Sequence, residues 1–545
     1  MMDLAGFLHG SLAIGLFMAL LILVAMPLLA RCSFTRGLAR AGSVEAQCHA
    51  AIATVICLAL AGLVIALLPV AAKRASALAL LVLLLLTTWY VCRRLPVPVY
   101  KGDWFFLRAV VVLALTVLAL GHVRWPLPNT LADGAYVNKE DVTAVRIQRF
   151  TGNLPPDNVV SYVAMEYLAR NISFKDNAPI LPGQQVTNRP VLASLVALPI
   201  RVLLRPVREV GVLPSFEYVG SHWPDFRQLV RDQRVFSVYL GVLVLLNALM
   251  LLGVGCLLTR ALGSAGAPRW ALVLLYGSSP YFLFQTLFTW PKALAGFFLI
   301  LAATAYWWHR RRGWAGSLLG LAYLAHPYAI GYAIVAVAAS LLWARGSAFE
   351  RGRAAATISL CFVLVILPWL IWANVILGLE SDLVTQNLLT GDTTPFAFAW
   401  MRVANTATAL LPMHLTNPSA TFMDMFRQSA FNVSGAVGLL VLVGFLASCM
   451  ARPVPPIADA SQTVTAPMLG LFLASACLLG FVFSAPAVPA LHGGQPMAAL
   501  LMCICVHRAF HEGPVWAKAL IYAQIILNLA LWACYFDSMF VLPVS

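Results

Sequence analysis

Charge is what this chain has least of. Asp, Glu, Lys and Arg make up 10% of its 545 residues, against about 25% in ordinary soluble domains. So few charges cannot cover a water-facing surface, and with 61% hydrophobic residues a soluble globular fold is excluded. Cysteine is missing from both long polar stretches, 123–235 and 379–431. All 11 cysteines lie in or beside apolar segments, which speaks against a disulfide framework or a metal site and for small core residues. A basic tail is missing too. The Lys and Arg residues behind the formal charge of +15 sit in short runs beside apolar segments, a pattern of membrane anchoring and not of nucleic-acid binding. No Lys or Arg precedes the first apolar segment, so it reads as a retained helix and not as a signal peptide.

What is abundant is the apolar run. Stretches of roughly 18 or more such residues recur along the chain, and in hydrocarbon each must satisfy its own backbone hydrogen bonds, which selects helices. The expectation is an all-α polytopic membrane protein of about 14 helices, near 7–29, 47–71, 76–92, 105–122, 236–259, 270–288, 293–308, 314–326, 328–344, 354–378, 432–450, 466–484, 489–507 and 515–535. Basic clusters follow alternate crossings: Arg31, Arg36 and Arg40, then Arg93, Arg94, Lys101 and Arg108, then Arg260 and Arg269, then Arg310 to Arg312, then Arg345, Arg351 and Arg353. Positive-inside anchoring then puts both termini outside. Lys73 and Arg74 dissent, because the same count places them on the outer side.

The segments between Arg269 and Arg310, and between Arg312 and Arg345, are flanked by basic residues on both sides and so read as hairpins. Each leg of the second rises about 22 Å, short of a bilayer core of about 30 Å. Its tip, His326-Pro327, is expected to leave an outward recess beside the tip of the first hairpin, Trp290-Pro291-Lys292. A third turn runs through His492-Gly493-Gly494-Gln495-Pro496.

The outward stretches hold the acids: ten of the 21 carboxylates lie in 123–235 and four in 379–431. Within the first, 159–168 and 191–204 have helical spacing with apolar faces, and short helices lying on the membrane surface are expected there. Asp133 follows the fourth helix closely, so the chain cannot carry it far from the bilayer. Most such carboxylates are solvated loop charges.

Asp133-Gly134-Ala135-Tyr136 soon after a helix, Asn188-Arg189-Pro190-Val191-Leu192, and Arg231 to Arg234 leading into a helix resemble the first-loop pattern of the C-type (GT-C) superfamily of polytopic membrane glycosyltransferases. Gly277-Ser278-Ser279-Pro280 with Trp290-Pro291-Lys292, and Gly320-Leu321-Ala322-Tyr323-Leu324-Ala325-His326-Pro327, look like that superfamily's next hairpins. The likeness covers roughly 105–510. It implies a GT-C-like helix bundle: a core over 105–378 with its first external loop at 123–235, a second loop at 379–431, C-terminal helices over 432–545, and 1–104 as helices extra to the core. It also implies transfer of a sugar, with inversion, from a polyprenyl phosphate carrier to a glycan, lipid or protein acceptor on the outer side of the membrane. The chain departs from the pattern in having one acid where many members have two, and in lacking an arginine in His492-Gly493-Gly494-Gln495.

An acceptor hydroxyl that attacks an anomeric carbon must lose its proton, which asks for a carboxylate base. Asp133 is the expected base, with Glu140 and Asp141 as alternatives. The leaving lipid phosphate gathers negative charge that cations at the interface stabilise. Lys292, Arg234, Arg189 and His326 are the candidates, with Tyr136 and His492 beside them. Against each stands a plainer role as a headgroup anchor, a snorkelling side chain or a helix-end residue. A divalent cation, Mg or Mn, is left open. The rival readings are a transporter or flippase of lipid-linked saccharides, and an O-antigen ligase or polymerase. The Ala- and Arg-rich composition points to a bacterial inner membrane. Asn171-Ile172-Ser173 and Asn432-Val433-Ser434 match the glycosylation sequon.

Overall fold

The computed structural model of the chain describes residues 4–31, 43–94, 103–122, 160–175, 189–207, 233–261, 269–288, 290–343, 346–379, 394–411, 415, 419, 432–451, 462–482 and 493–539. Among them there is no strand. The helices are α1 (Leu4–Leu20), joined through a π turn to α2 (Met26–Arg31), α3 (Ser43–Ala66), α4 (Val70–Arg94), α5 (Phe105–Gly121), α6 (Val160–Arg170), α7 (Leu192–Leu204), α8 (Gln233–Ala261), α9 (Arg269–Ser278), α10 (Pro280–Leu287), α11 (Lys292–Trp307), α12 (Arg312–Ala325), α13 (Ala329–Trp343), α14 (Ala348–Leu370), α15 (Pro395–Leu410), α16 (Val433–Val437), α17 (Leu439–Ala451), α18 (Gln462–Val482), α19 (Gln495–His511) and α20 (Val515–Met539).

Six of the described helices are long and apolar enough to cross a membrane: Leu4–Leu29, Val44–Ala66, Val70–Val91, Arg234–Arg260, Ala348–Ile376 and Val515–Ala533. A seventh span is reached if α10 and α11, bent by 110° at their junction, count as one. Helix occurs within each segment expected from the sequence, but the expected count of about 14 spans is not reached among the described residues. The difference is length. α13 has 15 residues, which at 1.5 Å per residue is about 22 Å.

α8 is the axis of the bundle and is buried along its whole membrane-length stretch. The N-terminal helices are built onto it: a Cβ on Gly241 of α8 would run into the Gly10 carbonyl oxygen of α1, so only two glycines allow this approach. α4 lies at the other extreme and keeps most of its apolar surface outward, which in a soluble protein would drive aggregation and in a bilayer is ordinary.

The bundle has two chemically distinct ends. At one, Glu45 accepts from Arg260 Nε at 3.0 Å and also pairs with His309, Asp103 pairs with Arg269, and Arg508 with Glu512. The head of α11 and the turn between α12 and α13 lie between the ends, level with Asn247 midway along α8, and the head of α8 lies at the other. There His122 Nε2 meets Ser237 Oγ at 2.9 Å.

The loop helices α6 and α7 do form, but they do not lie on a surface. Nearly every residue of both is buried. α7 presses on α3 so closely that a Cβ at Gly62 would meet the Leu195 carbonyl oxygen. The two are clamped by Glu166, whose oxygens accept from Arg201 Nε at 2.6 Å, Arg201 Nη2 at 3.1 Å and Arg170 Nε at 2.8 Å. Helical periodicity cannot distinguish a face laid on lipid from one laid on protein; Glu166 and Arg201, placed to pair, make the second arrangement tolerable. The same end also accommodates Lys73. Its ammonium donates to the Leu168 carbonyl at 2.5 Å and to Asn171 Oδ1 at 2.6 Å. A cation on the C-terminal carbonyls of a helix is favourably placed, so this lysine is compensated by protein and is no evidence of a cytoplasmic loop.

Candidate functional site

The site begins with a broken helix. Pro291 cannot donate a backbone hydrogen bond, and α10 ends before it; the chain turns by 110° and restarts at Lys292. Backbone groups exposed by such a break inside a bundle need partners from elsewhere. Asn247, fully buried in the middle of α8, supplies them. Its Nδ2 donates to the Phe288 carbonyl at 3.0 Å and the Trp290 carbonyl at 3.1 Å, and its Oδ1 accepts from the Leu294 N–H at 3.3 Å. From the other side Tyr328 Oη donates to the Lys292 carbonyl at 3.0 Å.

Held in this way, the turn presents an aromatic surface on which basic groups gather. The Lys292 ammonium lies 4.5 Å from the Trp290 ring centroid and 4.6 Å from that of Phe288. The Arg189 guanidinium, arriving from just before α7, lies 3.9 Å from the Trp290 ring centroid. Such cation–π contacts hold a cation where water is scarce. His326 stands 5.8 Å, centroid to centroid, from the same indole and 5.1 Å from Tyr328. α12 stops at His326 because Pro327 follows and forces the preceding residue into an extended conformation. The exposures are 7% for Arg189, 2% for Lys292 and 1% for His326.

His326 lies at the turn, outside both helical legs. Burial first, then Arg189 and Lys292, push its imidazole well below the usual histidine range. It is therefore neutral at pH 7, and the Tyr328 N–H donates to its Nδ1 at 3.4 Å, which assigns the ring proton to Nε2. The third turn reaches the same place: Tyr332 Oη donates to the Gly493 carbonyl, and Gln495 Nε2 donates to Gln285 Oε1 at 3.3 Å. The three hairpin tips thus converge, the first two as the sequence pattern suggests and the third in addition. They form a buried cluster and not an open recess.

Of the expected site residues, Arg189, Lys292 and His326 are brought together. Arg234 stands exposed at the head of α8. Asp133, Glu140, Asp141, Tyr136 and His492 lie outside the described residues. No group of three or more His, Cys, Asp or Glu that could hold a metal occurs among the described residues. Asn247 and Tyr328 were not anticipated. Asn247 did leave a signal, as a lone amide in the apolar run from Val235 to Leu258.

Both sequons have structural uses. Asn171 accepts from Lys73 and donates to the Leu68 carbonyl at 3.1 Å. Asn432 is 5% exposed and caps α16 through the N–H groups of Ser434 and Gly435, at 2.8 and 3.1 Å. A glycan on either amide would break these contacts. The chain matches no family model, no curated protein and no solved structure.

Proposed function

We propose that this chain is an inverting membrane glycosyltransferase of the GT-C kind, which moves a sugar from a polyprenyl phosphate donor to a glycan, lipid or protein acceptor on the outer side of a bacterial inner membrane. The observation that supports it is the convergence of Arg189, Lys292 and His326 on Trp290, at the break between α10 and α11. One guanidinium and one ammonium group lie over a single indole, 3.9 and 4.5 Å from its ring centroid. A lipid phosphate is an anion of the kind that such a pair of basic groups binds.

In the reaction, an acceptor oxygen attacks the anomeric carbon from the face opposite the phosphate. Asp133 takes the hydroxyl proton as the glycosidic bond forms and the bond to the phosphate oxygen breaks. The departing phosphate carries the negative charge that Arg189 and Lys292 stabilise, and the Nε2–H of neutral His326 is a hydrogen-bond donor for the same oxygens. Arg234, Tyr136 and His492 are assigned to binding the donor, and both termini to the same outer side.

A second reading has one observation in its favour. Broken helices whose restarted half begins at an anion site are a feature of transporters, and α10 and α11 have that form. One reconstitution separates the two. Proteoliposomes loaded with a polyprenyl phosphate sugar labelled in the glycosyl group are given acceptor on the outside. Label in the acceptor, abolished by Asp133→Asn, supports transfer; label that crosses the bilayer still joined to its lipid, equally in both variants, overturns it.

A further inference from the structure

We infer that Asn247 is a positioning residue for the basic cluster, setting where Lys292 and Trp290 stand without touching the ligand itself. The inference rests on the anion-site reading of that cluster. Asn247 lies 45 residues before Lys292 in sequence and on a different helix, yet a single carboxamide bonds both sides of the break. Its Nδ2 holds the carbonyls of Phe288 and Trp290, the two residues whose rings carry the Lys292 ammonium. Its Oδ1 holds the N–H of Leu294, in the first turn of α11. The turn is thus tied at both its entry and its exit to a helix whose membrane-length stretch is wholly buried.

The geometry leaves little slack. Backbone carbonyls at 288 and 290 point to one side, toward Nδ2, so the rings of Phe288 and Trp290 are set by the direction of their own peptide groups. They meet edge to face, with centroids 5.2 Å apart. Lys292 sits at the mouth of that aromatic pair, and its own carbonyl is tied to Tyr328. If the Asn247 contacts are removed, the carbonyls of 288 and 290 must turn to find other partners. Both rings then swing, and the ammonium and the Arg189 guanidinium lose their shared seat. Asn also fits this role by chemistry: a carboxamide can donate to two carbonyls at once and accept from an N–H within one short side chain, whereas a hydroxyl has a single proton to donate.

The test uses the full chain in nanodiscs, with farnesyl phosphate as the probe and farnesol as its uncharged control. Asn247→Leu keeps the volume and removes both hydrogen-bonding functions. It is expected to weaken farnesyl phosphate binding by about tenfold or more while leaving farnesol binding unchanged, since small displacements of a pre-organised site are costly. Lys292→Ala is expected to weaken it to a similar degree. Combining the two should add little, because the first change has already displaced the group that the second removes. Asn247→Asp retains the acceptor for Leu294 but cannot donate when ionised, and it is read by the same criteria if the leucine variant does not fold. Farnesyl phosphate binding within twofold of wild type in the Asn247 variant, or fully additive losses in the double variant, overturns the positioning role. If Lys292→Ala itself binds farnesyl phosphate normally, the anion-site reading fails instead, so the two failures are separable.

Discussion

Removing the Lys292 ammonium is the most direct challenge to the proposed chemistry. The side chain is 2% exposed and lies against two aromatic rings at the head of α11. Its charge is therefore screened little by water or by salt. A hydrogen bond to a charged group is worth about 1.5–3 kcal/mol, which is about 10- to 150-fold in a dissociation constant. Lys292→Ala should accordingly raise the dissociation constant for a polyprenyl phosphate about 10- to 150-fold. The corresponding uncharged prenol should bind as before. Titration in nanodiscs at two salt concentrations measures this, and a loss that disappears at high salt would place the phosphate at an exposed lysine and not in this buried cluster. A change of less than twofold, or an equal loss for the prenol, refutes the reasoning.

Three further outcomes follow from particular residues. Asp133→Asn should reduce turnover by about 100- to 10,000-fold with donor affinity unchanged, as measured by single-turnover transfer and binding in parallel; normal turnover moves the base to Glu140 or Asp141. Glu166→Ala leaves Arg201, at 1% exposure, without the carboxylate it grips through two nitrogens, and should lower stability by about 3–5 kcal/mol, seen as a reduced melting temperature or lost expression. If Glu166→Ala melts as wild type, the buried clamp between α6 and α7 contributes nothing. A reporter fused after Gly183 should read as outside and one after Arg312 as inside; the same side for both refutes the proposed orientation.

How much of this was legible beforehand can be judged residue by residue. Arg189, Lys292 and His326 were marked by position, at loop ends and hairpin tips, and they meet. Asn247 was visible only as an oddity in an apolar run, because nothing in the run says which neighbouring backbone lacks partners. The helices over 160–170 and 192–204 were readable from their spacing, but their burial was not. The pairing of Glu166 with Arg201, 35 residues apart, is what allows two charged faces to turn inward.

The sequence alone determined the helical class, the runs of apolar residues and the separation of basic from acidic segments. These depend on transfer of side chains and peptide groups out of water, which acts on each segment by itself and so can be summed along the chain. The tertiary structure alone decided which polar groups meet inside the bundle. That Lys73 ends on the Leu168 carbonyl of α6, that Asn171 and Asn432 are spent on backbone contacts, and that one asparagine ties a turn 41 to 47 residues away are outcomes of helix crossings. A crossing is set by close packing between segments distant in sequence, here by Gly10 against Gly241 and Gly62 against Leu195, and no local pattern contains it.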